Sequence, residues 1–175
     1  SFVSVEYQSS KAGAKSLYAR DNLFDGIAAI GVLYKKEIKY VFGKATIYRD
    51  YPTEAREMIM VFMKKYFGKK KRLIHIRKEV KVEKPKKYQR LFKGMDYKDG
   101  YRKLKSEIGK TGVFVPPLVN TYMNLSPSML YFGTGINDEF GDIYDSGILV
   151  DFTDMYPEKR KRHLDSFLEI GWKEI

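Results

Sequence analysis

Two kinds of hydrophobic periodicity alternate along this chain, and this alternation constrains its fold more than any other feature. Residues 2–7 and 38–48 place apolar side chains at every second position, as β-strands do. Residues 17–34 and 53–67 carry apolar side chains at helical spacing. Because strands that alternate with helices pack as layers, the pattern predicts an α/β domain.

The elements after residue 50 are bounded by recognisable start and stop residues. Thr53 is the predicted cap of the helix over 53–67, and Gly68 is its predicted end. Pro116 and Pro117 open another predicted helix, since proline is well tolerated in a first turn. The other predicted elements are a strand or ribbon arm over 72–82, a loop with a short helix over 84–100, a helix over 101–108, a turn over 109–112, a short strand over 129–132, a loop over 134–145, a buried strand over 146–153 and a helix from 158 to 168.

Composition indicates a folded domain and excludes cysteine chemistry. The chain has 175 residues, 43% hydrophobic and 31% charged, which suits one globular domain over 1–157 and a basic helix or tail over 158–175. Without cysteine, disulfides, thiolate metal sites and cysteine nucleophiles are excluded. No apolar run approaches the ~20 residues that span a bilayer. The chain starts at Ser1, without a Met and inside a predicted strand, so we expect that the front of the protein is missing.

Positive charge is concentrated in one part of the sequence. The net charge is +11, and residues 64–90 hold thirteen basic residues but only Glu79 and Glu83 as acids. Such a run forms either a solvated face or a surface for an anionic partner. Nucleic acid, anionic lipid headgroups, a nucleotide cofactor and an acidic carrier protein would all fit.

A loop of small residues joins the first predicted strand to the first predicted helix. Its backbone N–H groups can converge, and the helix N-terminus that follows favours an anion. This arrangement suits a pyrophosphate or a phosphopantetheine phosphate, although such loops also occur as plain turns. The predicted cofactor-binding residues are Val5 on the strand, then Gln8, Ser9, Ser10, Lys11, Ala12, Gly13, Ala14 and Lys15.

Several short stretches carry a family resemblance. They are residues 1–8, 15–26, 40–47, 115–122, 137–140 and 145–151. The most specific are Pro-Pro-Leu-x-x-x-Tyr at 116–122 and Asp-x-Phe at 138–140, in that order before an apolar final strand. On these residues, which cover most of the chain, it resembles the hemolysin-like GNAT acyltransferases. That family includes the ornithine-lipid and glycine-lipid N-acyltransferases and is related to the acyl-homoserine-lactone synthases.

The resemblance implies a GNAT-like mixed sheet, flanked by helices, that splays between its central strands. Residues 2–7 would be the fourth strand of that fold and residues 38–48 the fifth, with the pantetheine arm of the donor entering the splay. The implied enzyme transfers an acyl group from acyl carrier protein or coenzyme A to an amine in aminolipid synthesis, without a metal.

The resemblance implies a bacterial cytoplasmic protein and also allows a peripheral position on the inner membrane face. The implied partners are an acyl carrier protein and an anionic membrane surface, and no nucleic acid is expected. A Glu and an Arg that the family places just before the Ser-Phe pair at 1–2 are not in this sequence, so this fragment alone could be inactive. The loop also departs from the general GNAT pattern, because Gln8 precedes Gly13 by five positions instead of three.

A few side chains are candidates for chemistry. Glu6 is a predicted general base, with an exposed strand position as the alternative. Tyr66 is a predicted acid for the leaving thiolate, as a Tyr on the equivalent helix is in many relatives, with a packing role as the alternative. Asp138 is a predicted contact of the substrate amine, with turn formation as the alternative.

Other polar residues predict no site. Asp138, Asp142 and Asp145 do not match the spacing of a calcium loop. His75 is predicted to be satisfied or solvated and His163 to be solvated, and two isolated histidines make no metal site. The alternative to an enzyme is a basic α/β module that binds nucleic acid or anionic lipid and performs no chemistry.

Overall fold

The computed structural model describes Asp25, Gly26, Ile30 and residues 39–68 and 73–165, with the backbone alone at Leu164. The chain divides into two compact units, of which Tyr40–Tyr156 is one. The other combines Ser1–Lys39 with Pro157–Ile175. The predicted strand over 2–7, the small-residue loop and most of the predicted helix over 17–34 lie outside the described residues.

A three-stranded antiparallel sheet organises the unit Tyr40–Tyr156. Its strands are β1 (Tyr40–Ile47), β2 (Leu130–Asn137) and β3 (Ile143–Asp151), and their spatial order is β1-β3-β2. With the helices below, this confirms the α/β prediction and the strand expected over 38–48. The described strands are all antiparallel, and a splay in a larger mixed sheet stays a prediction.

The hairpin of β2 and β3 is longer than the sequence predicted. The predicted loop over 134–145 is wrong at both ends, because residues 134–137 pair with residues 143–146 across the two strands. Only a short turn remains between them, with Gly141 and Asp142 at positive φ. The sequence of β2 shows no regular apolar alternation, because it contains glycines and polar residues. A bulge between Tyr131 and Gly133 also shifts the register of its pairing.

Five α-helices lie in the described residues. They are α1 (Thr53–Phe67), α2 (Pro85–Leu91), α3 (Tyr97–Gly109), α4 (Pro117–Met123) and α5 (Pro157–Arg160). The predicted end of α1 at Gly68 is confirmed, but the cap is wrong: Pro52 holds the cap position and no side chain caps the helix. The tail is helical as predicted from Pro157, with a π-helical turn over Lys161–Asp165, and 166–168 lie outside the described residues.

The core of the unit Tyr40–Tyr156 surrounds α1, which is buried on most of its faces because it packs against β2, α2 and α3. Phe62 lies at the centre and is fully buried. Its ring centroid is 4.6 Å from that of Tyr66, 5.3 Å from Phe92 and 5.8 Å from Tyr97. Edge and tilted contacts of this kind add to the free energy that area burial supplies, so the cluster fixes α1 firmly.

Residues 73–82, which we call the arm, do not form the strand that was predicted over 72–82. They make one isolated β-bridge, between Glu79 and Gly135. Two backbone hydrogen bonds hold it to β2, from Val80 N to the Thr134 carbonyl (2.8 Å) and from Ile136 N to the Lys78 carbonyl (3.0 Å). The described arm is therefore closer to the alternative interpretation, a ribbon lying along β2.

Candidate functional site

A cleft of about 790 Å³ lies beside β2 in the unit Tyr40–Tyr156. Helix α1, the arm, the start of α2 and the bulge of β2 all contribute to its lining. This volume lies within the range of small-molecule and cofactor sites. The apolar lining comes from Met60, Val61, Val80, Val82, Pro85 and Tyr131, and the polar lining includes Lys64, Lys81, Glu79 and Gln89.

Two glycines of β2 let the arm approach closely enough to form this cleft. A Cβ at Gly133 would lie 2.8 Å from Ile76 Cδ1, and one at Gly135 would lie 2.6 Å from Ile76 Cγ2. Gly133 also has a φ of +123°, which other residues rarely adopt. At the far end of the arm, Glu83 N donates to the buried Glu57 carboxylate at 2.9 Å. These contacts hold both ends of the arm in place.

The edge of the cleft carries cations that form no ion pair among the described residues. Lys64 and Lys81 line it, and in the part of the chain that the structure describes neither forms an ion pair. Lys84, Lys86 and Arg90 flank the lining residues Pro85 and Gln89, and they too lack an ion pair among the described residues. We call these five the cationic rim: Lys64, Lys81, Lys84, Lys86 and Arg90. Because their fields add, this edge of the cleft is electropositive.

A buried chain of hydroxyl groups runs from the cleft into the sheet. The Tyr131 hydroxyl lies 2.7 Å from Thr134 Oγ1, which lies 2.7 Å from Ser146 Oγ. Burial raises the pKa of Tyr131 well above its usual range, so the phenol stays protonated at any physiological pH. The chain joins β2 to β3 and presents a neutral phenol at the cleft.

Three carboxylates lie at the turn between β2 and β3, and each of them pairs with a basic side chain. Asp138 pairs with Lys78, and Asp142 pairs with Arg49 at 2.8 Å. Asp145 accepts hydrogen bonds from Lys44 (2.8 Å), Thr46 (2.6 Å) and Asn137 (2.8 Å). Among the described residues no cluster of metal-binding side chains was found, and these acids bind protein cations instead.

Two of these carboxyl groups have a lowered pKa. Burial alone would raise the pKa of Asp145, but the hydrogen bonds from Lys44, Thr46 and Asn137 outweigh it and hold the value below the ordinary one. The hydrogen bond from Lys78 lowers the pKa of Asp138. Both are therefore anionic at neutral pH. A contact between Asp138 and the substrate amine stays a prediction, and the amine would bind a carboxylate that already pairs with Lys78.

Tyr66 sits in the aromatic cluster, not in the cleft. Its hydroxyl donates to the carbonyls of Met95 at 3.0 Å and Asp96 at 2.9 Å, which ties the end of α1 to the start of α3. A Cβ at Gly100 would collide with that hydroxyl, so the helix contact is close. The packing alternative describes these contacts, and a catalytic role for Tyr66 stays a prediction.

The two histidines differ from each other. His75 is exposed on the arm, as predicted. His163 was predicted to be solvated, and this is wrong: it is 3% exposed and its Nδ1 is hydrogen-bonded to Asp25 Oδ1 within the unit that joins the chain's two ends. The sequence could not indicate this pairing, since 138 positions separate the two residues.

The structure does not describe the predicted binding site for the acyl donor. Glu6, Val5 and the loop from Gln8 to Lys15 all lie outside the described residues. Conversely, sequence reasoning missed the cleft. The available signal was Gly133, directly after the predicted strand, with Gly135 in the predicted loop, because isolated glycines near a strand often mark the close approach of another backbone.

None of the helices in the described segments combines the length and apolar character that a bilayer-crossing helix needs.

Comparison with known proteins found two similar curated sequences, while no family model and no solved structure matches. The glycine N(alpha)-acyltransferase of Phocaeicola vulgatus is 46% identical over 170 residues, which are 97% of this chain and 52% of that protein. The glycine N(alpha)-acyltransferase of Bacteroides thetaiotaomicron is 44% identical over 170 residues, 97% of this chain and 50% of that protein. The chain thus spans about half the length of these relatives. The similarity confirms the family resemblance.

Proposed function

We propose that this chain, which is homologous to the glycine N(alpha)-acyltransferases, contributes to an enzyme that transfers an acyl group from a thioester to the amine of glycine in aminolipid synthesis. The observation that carries the proposal is the 46% identity to one such protein over 97% of the chain. Similarity over 97% of the chain favours a shared reaction over a shared fragment of fold.

The reaction proceeds by direct transfer. The amine lone pair attacks the thioester carbonyl carbon, a C–N bond forms, and the C–S bond breaks as the tetrahedral intermediate collapses. A base takes a proton from the amine and an acid returns one to the leaving thiolate, so no covalent enzyme intermediate is needed.

Residues from the sequence analysis fill these roles in the proposal. Glu6 takes the amine proton, a backbone N–H of the strand around Val5 polarises the carbonyl, and Tyr66 protonates the thiolate. The last role requires the Tyr66 hydroxyl to leave the carbonyls of Met95 and Asp96. The loop from Gln8 to Lys15 would receive the phosphate of coenzyme A or phosphopantetheine.

The cationic rim favours acyl carrier protein as the partner that brings the donor, in the cytoplasm. Its five cations lack ion pairs among the described residues, and a carrier protein is an acidic surface that they can attract. The cleft beside the rim is mostly apolar and would accommodate part of an acyl-pantetheine arm. An anionic inner-membrane leaflet would meet the same cations, and vesicle binding is therefore measured beside carrier-protein binding.

The test uses the protein expressed from its complete reading frame. It is incubated with a long-chain acyl carrier protein or acyl-coenzyme A and isotope-labelled glycine, and N-acylglycine is quantified by mass spectrometry. We expect product that depends on enzyme, donor and glycine, with the carrier-protein thioester as the better donor. No labelled product with either donor, from protein that is folded by circular dichroism, would refute the proposed function.

The uncompensated cations also favour a second candidate, a binding module for nucleic acid or anionic lipid without catalysis. Such binding depends on phosphate neutralisation and falls steeply with salt. A titration with short DNA and with vesicles rich in anionic lipid, at low and physiological salt, separates the two functions. Salt-sensitive binding in a protein that forms no N-acylglycine would support the module.

A further inference from the structure

The buried guanidinium of Arg56 is the least satisfied charge in the described part of the chain. Arg56 lies near the start of α1 and is 7% exposed. Its Nε is buried without a hydrogen-bond partner. The guanidinium carbon lies 3.8 Å from the ring centroid of Tyr144 on β3. Within the described segments, stacking on this ring is the interaction that holds the charge.

A buried arginine is ordinarily paired with a carboxylate, and the nearby acids are already engaged. Glu57 accepts the Glu83 N–H, and Glu54 pairs with Lys87. Among the described residues no carboxylate lies within ion-pair distance of Arg56. A stacked ring attracts a cation but accepts none of the five N–H groups in the plane of the guanidinium. The group can therefore take up an anion that no described residue supplies.

The terminal nitrogens of Arg56 are less enclosed than its Nε. Of its three nitrogens, only Nε is both buried and without a partner, so the two terminal nitrogens keep some contact with solvent. These are the atoms that bind a carboxylate in a bidentate manner. The neighbouring first turn of α1 has no side-chain cap, so its backbone N–H groups also favour negative charge.

The position of Arg56 connects it with the predicted substrate residue. Tyr144 pairs with Ile47 of β1 and with Ile136 of β2, which makes one row across the sheet at its hairpin end. Asp138 follows β2 at this same end. Tyr144, on which Arg56 stacks, and Asp138 thus belong to the same end of the sheet.

We propose that Arg56 binds the carboxylate of the amino-acid acceptor and so selects glycine over amines that lack this group. The inference rests on the proposed function, because it assigns a role in that reaction. Tyr144 holds the guanidinium plane in place, and the bidentate contact orients the acceptor with its amine free to attack the thioester.

The test compares glycine with glycinamide, which has the same amine and no carboxylate. We expect the wild-type protein to favour glycine in kcat/KM, and Arg56→Gln to raise KM for glycine by about 10- to 100-fold, the range for a hydrogen bond to a charged group. Activity with glycinamide and the KM for the donor should stay within about twofold. Arg56→Lys should recover part of the preference, because it keeps the charge and loses the bidentate geometry.

Arg102→Gln is the matched control, since Arg102 is exposed on α3 and pairs only with Asp99 among the described residues. Arg56→Gln that loses glycine and glycinamide activity equally would overturn the proposal, as would a rise in the donor KM alone. If Arg56→Gln does not fold, the side-chain Nε–H signal of Arg56 in the wild-type NMR spectrum decides. It should shift on addition of glycine but not of glycinamide, and equal responses would refute the assignment.

This NMR measurement separates the two proposals. A wild-type protein that forms no N-acylglycine contradicts the proposed function, yet a glycine-specific shift at Arg56 would still support a carboxylate site. Product formation with no effect of Arg56 on the glycine preference leaves the function standing and refutes the inference.

Discussion

The hairpin end of the sheet and the edge of the cleft use the same kinds of charged residue in opposite ways. At the hairpin, three carboxylates each form an ion pair with a basic side chain from another part of the chain. The pairs are Asp138 with Lys78, Asp142 with Arg49 and Asp145 with Lys44. At the cleft, the cationic rim has no such partners among the described residues. Charges that are neutralised within the protein hold its elements together, whereas charges left without partners are available for a ligand. This difference between the hairpin end and the cationic rim can be tested by substitutions in each region.

The largest effect should come from Gly133, which shapes the cleft. Gly133→Ala adds a Cβ 2.8 Å from Ile76 Cδ1 on a residue at φ +123°. We expect a loss of about 2–4 kcal/mol in the free energy of unfolding, from backbone strain and overpacking together, measured by urea denaturation. Gly109→Ala, where a Cβ would meet nothing within 4 Å, should be neutral or stabilise by up to about 1 kcal/mol. Equal effects would mean that the arm does not depend on this glycine.

The next effect concerns the rim and should appear in kinetics, not in stability. Lys86→Glu combined with Arg90→Glu should lower kcat/KM with acyl carrier protein by about 10- to 100-fold at low salt, through lost electrostatic attraction. With acyl-coenzyme A the change should be much smaller. Lys98→Glu with Lys105→Glu makes the same change of charge on α3 and should leave both donors unaffected. If the two double variants behave alike, net charge and not the rim attracts the carrier.

Asp145 tests the hairpin side through stability. Its side chain is 12% exposed and it accepts three hydrogen bonds, so Asp145→Asn should cost about 1–3 kcal/mol at pH 7. Because the folded pKa lies below the ordinary value of 3.8, this contribution is present above that value and is lost as the pH falls through the folded pKa. Urea unfolding between pH 7 and pH 3 should show the wild type approaching the variant, and a constant gap would contradict the assignment.

The smallest effect is expected at Arg49. Its pair with Asp142 is exposed, with 70% and 49% of the two side chains accessible. Arg49→Met should therefore change the free energy of unfolding by less than about 1 kcal/mol, and high salt should reduce the difference further. A cost as large as that of Asp145→Asn would show that exposure does not separate the two pairs.

Local signals made several elements predictable. Gly68 marks the end of α1, where it is extended, and the Pro116-Pro117 pair marks the start of α4, because the fixed φ of proline suits a first helical turn. The cap at Thr53 was displaced by one position, because Pro52 holds the extended conformation that a cap requires. Such errors are small, since the physical signal is correct and only its position differs.

The larger errors share a different cause. The alternation in the arm left a strand and a ribbon open, and the structure shows one isolated bridge to β2, with Ile76 close to the glycines of that strand. His163 was expected in solvent, yet it is hydrogen-bonded to Asp25, at a sequence separation of 138. In each case the partner is remote in sequence, and no local pattern records it.

The amino-acid sequence by itself determined the α/β class, the end of α1, the start of α4 and the concentration of positive charge, because each depends on local periodicity or residue type. Only the tertiary structure decided which charges are neutralised, where the cleft lies and that Arg56 is buried against Tyr144 without a carboxylate. The physical reason is that burial and pairing are properties of distances between remote residues. Those distances exist only after α1 has packed on the sheet.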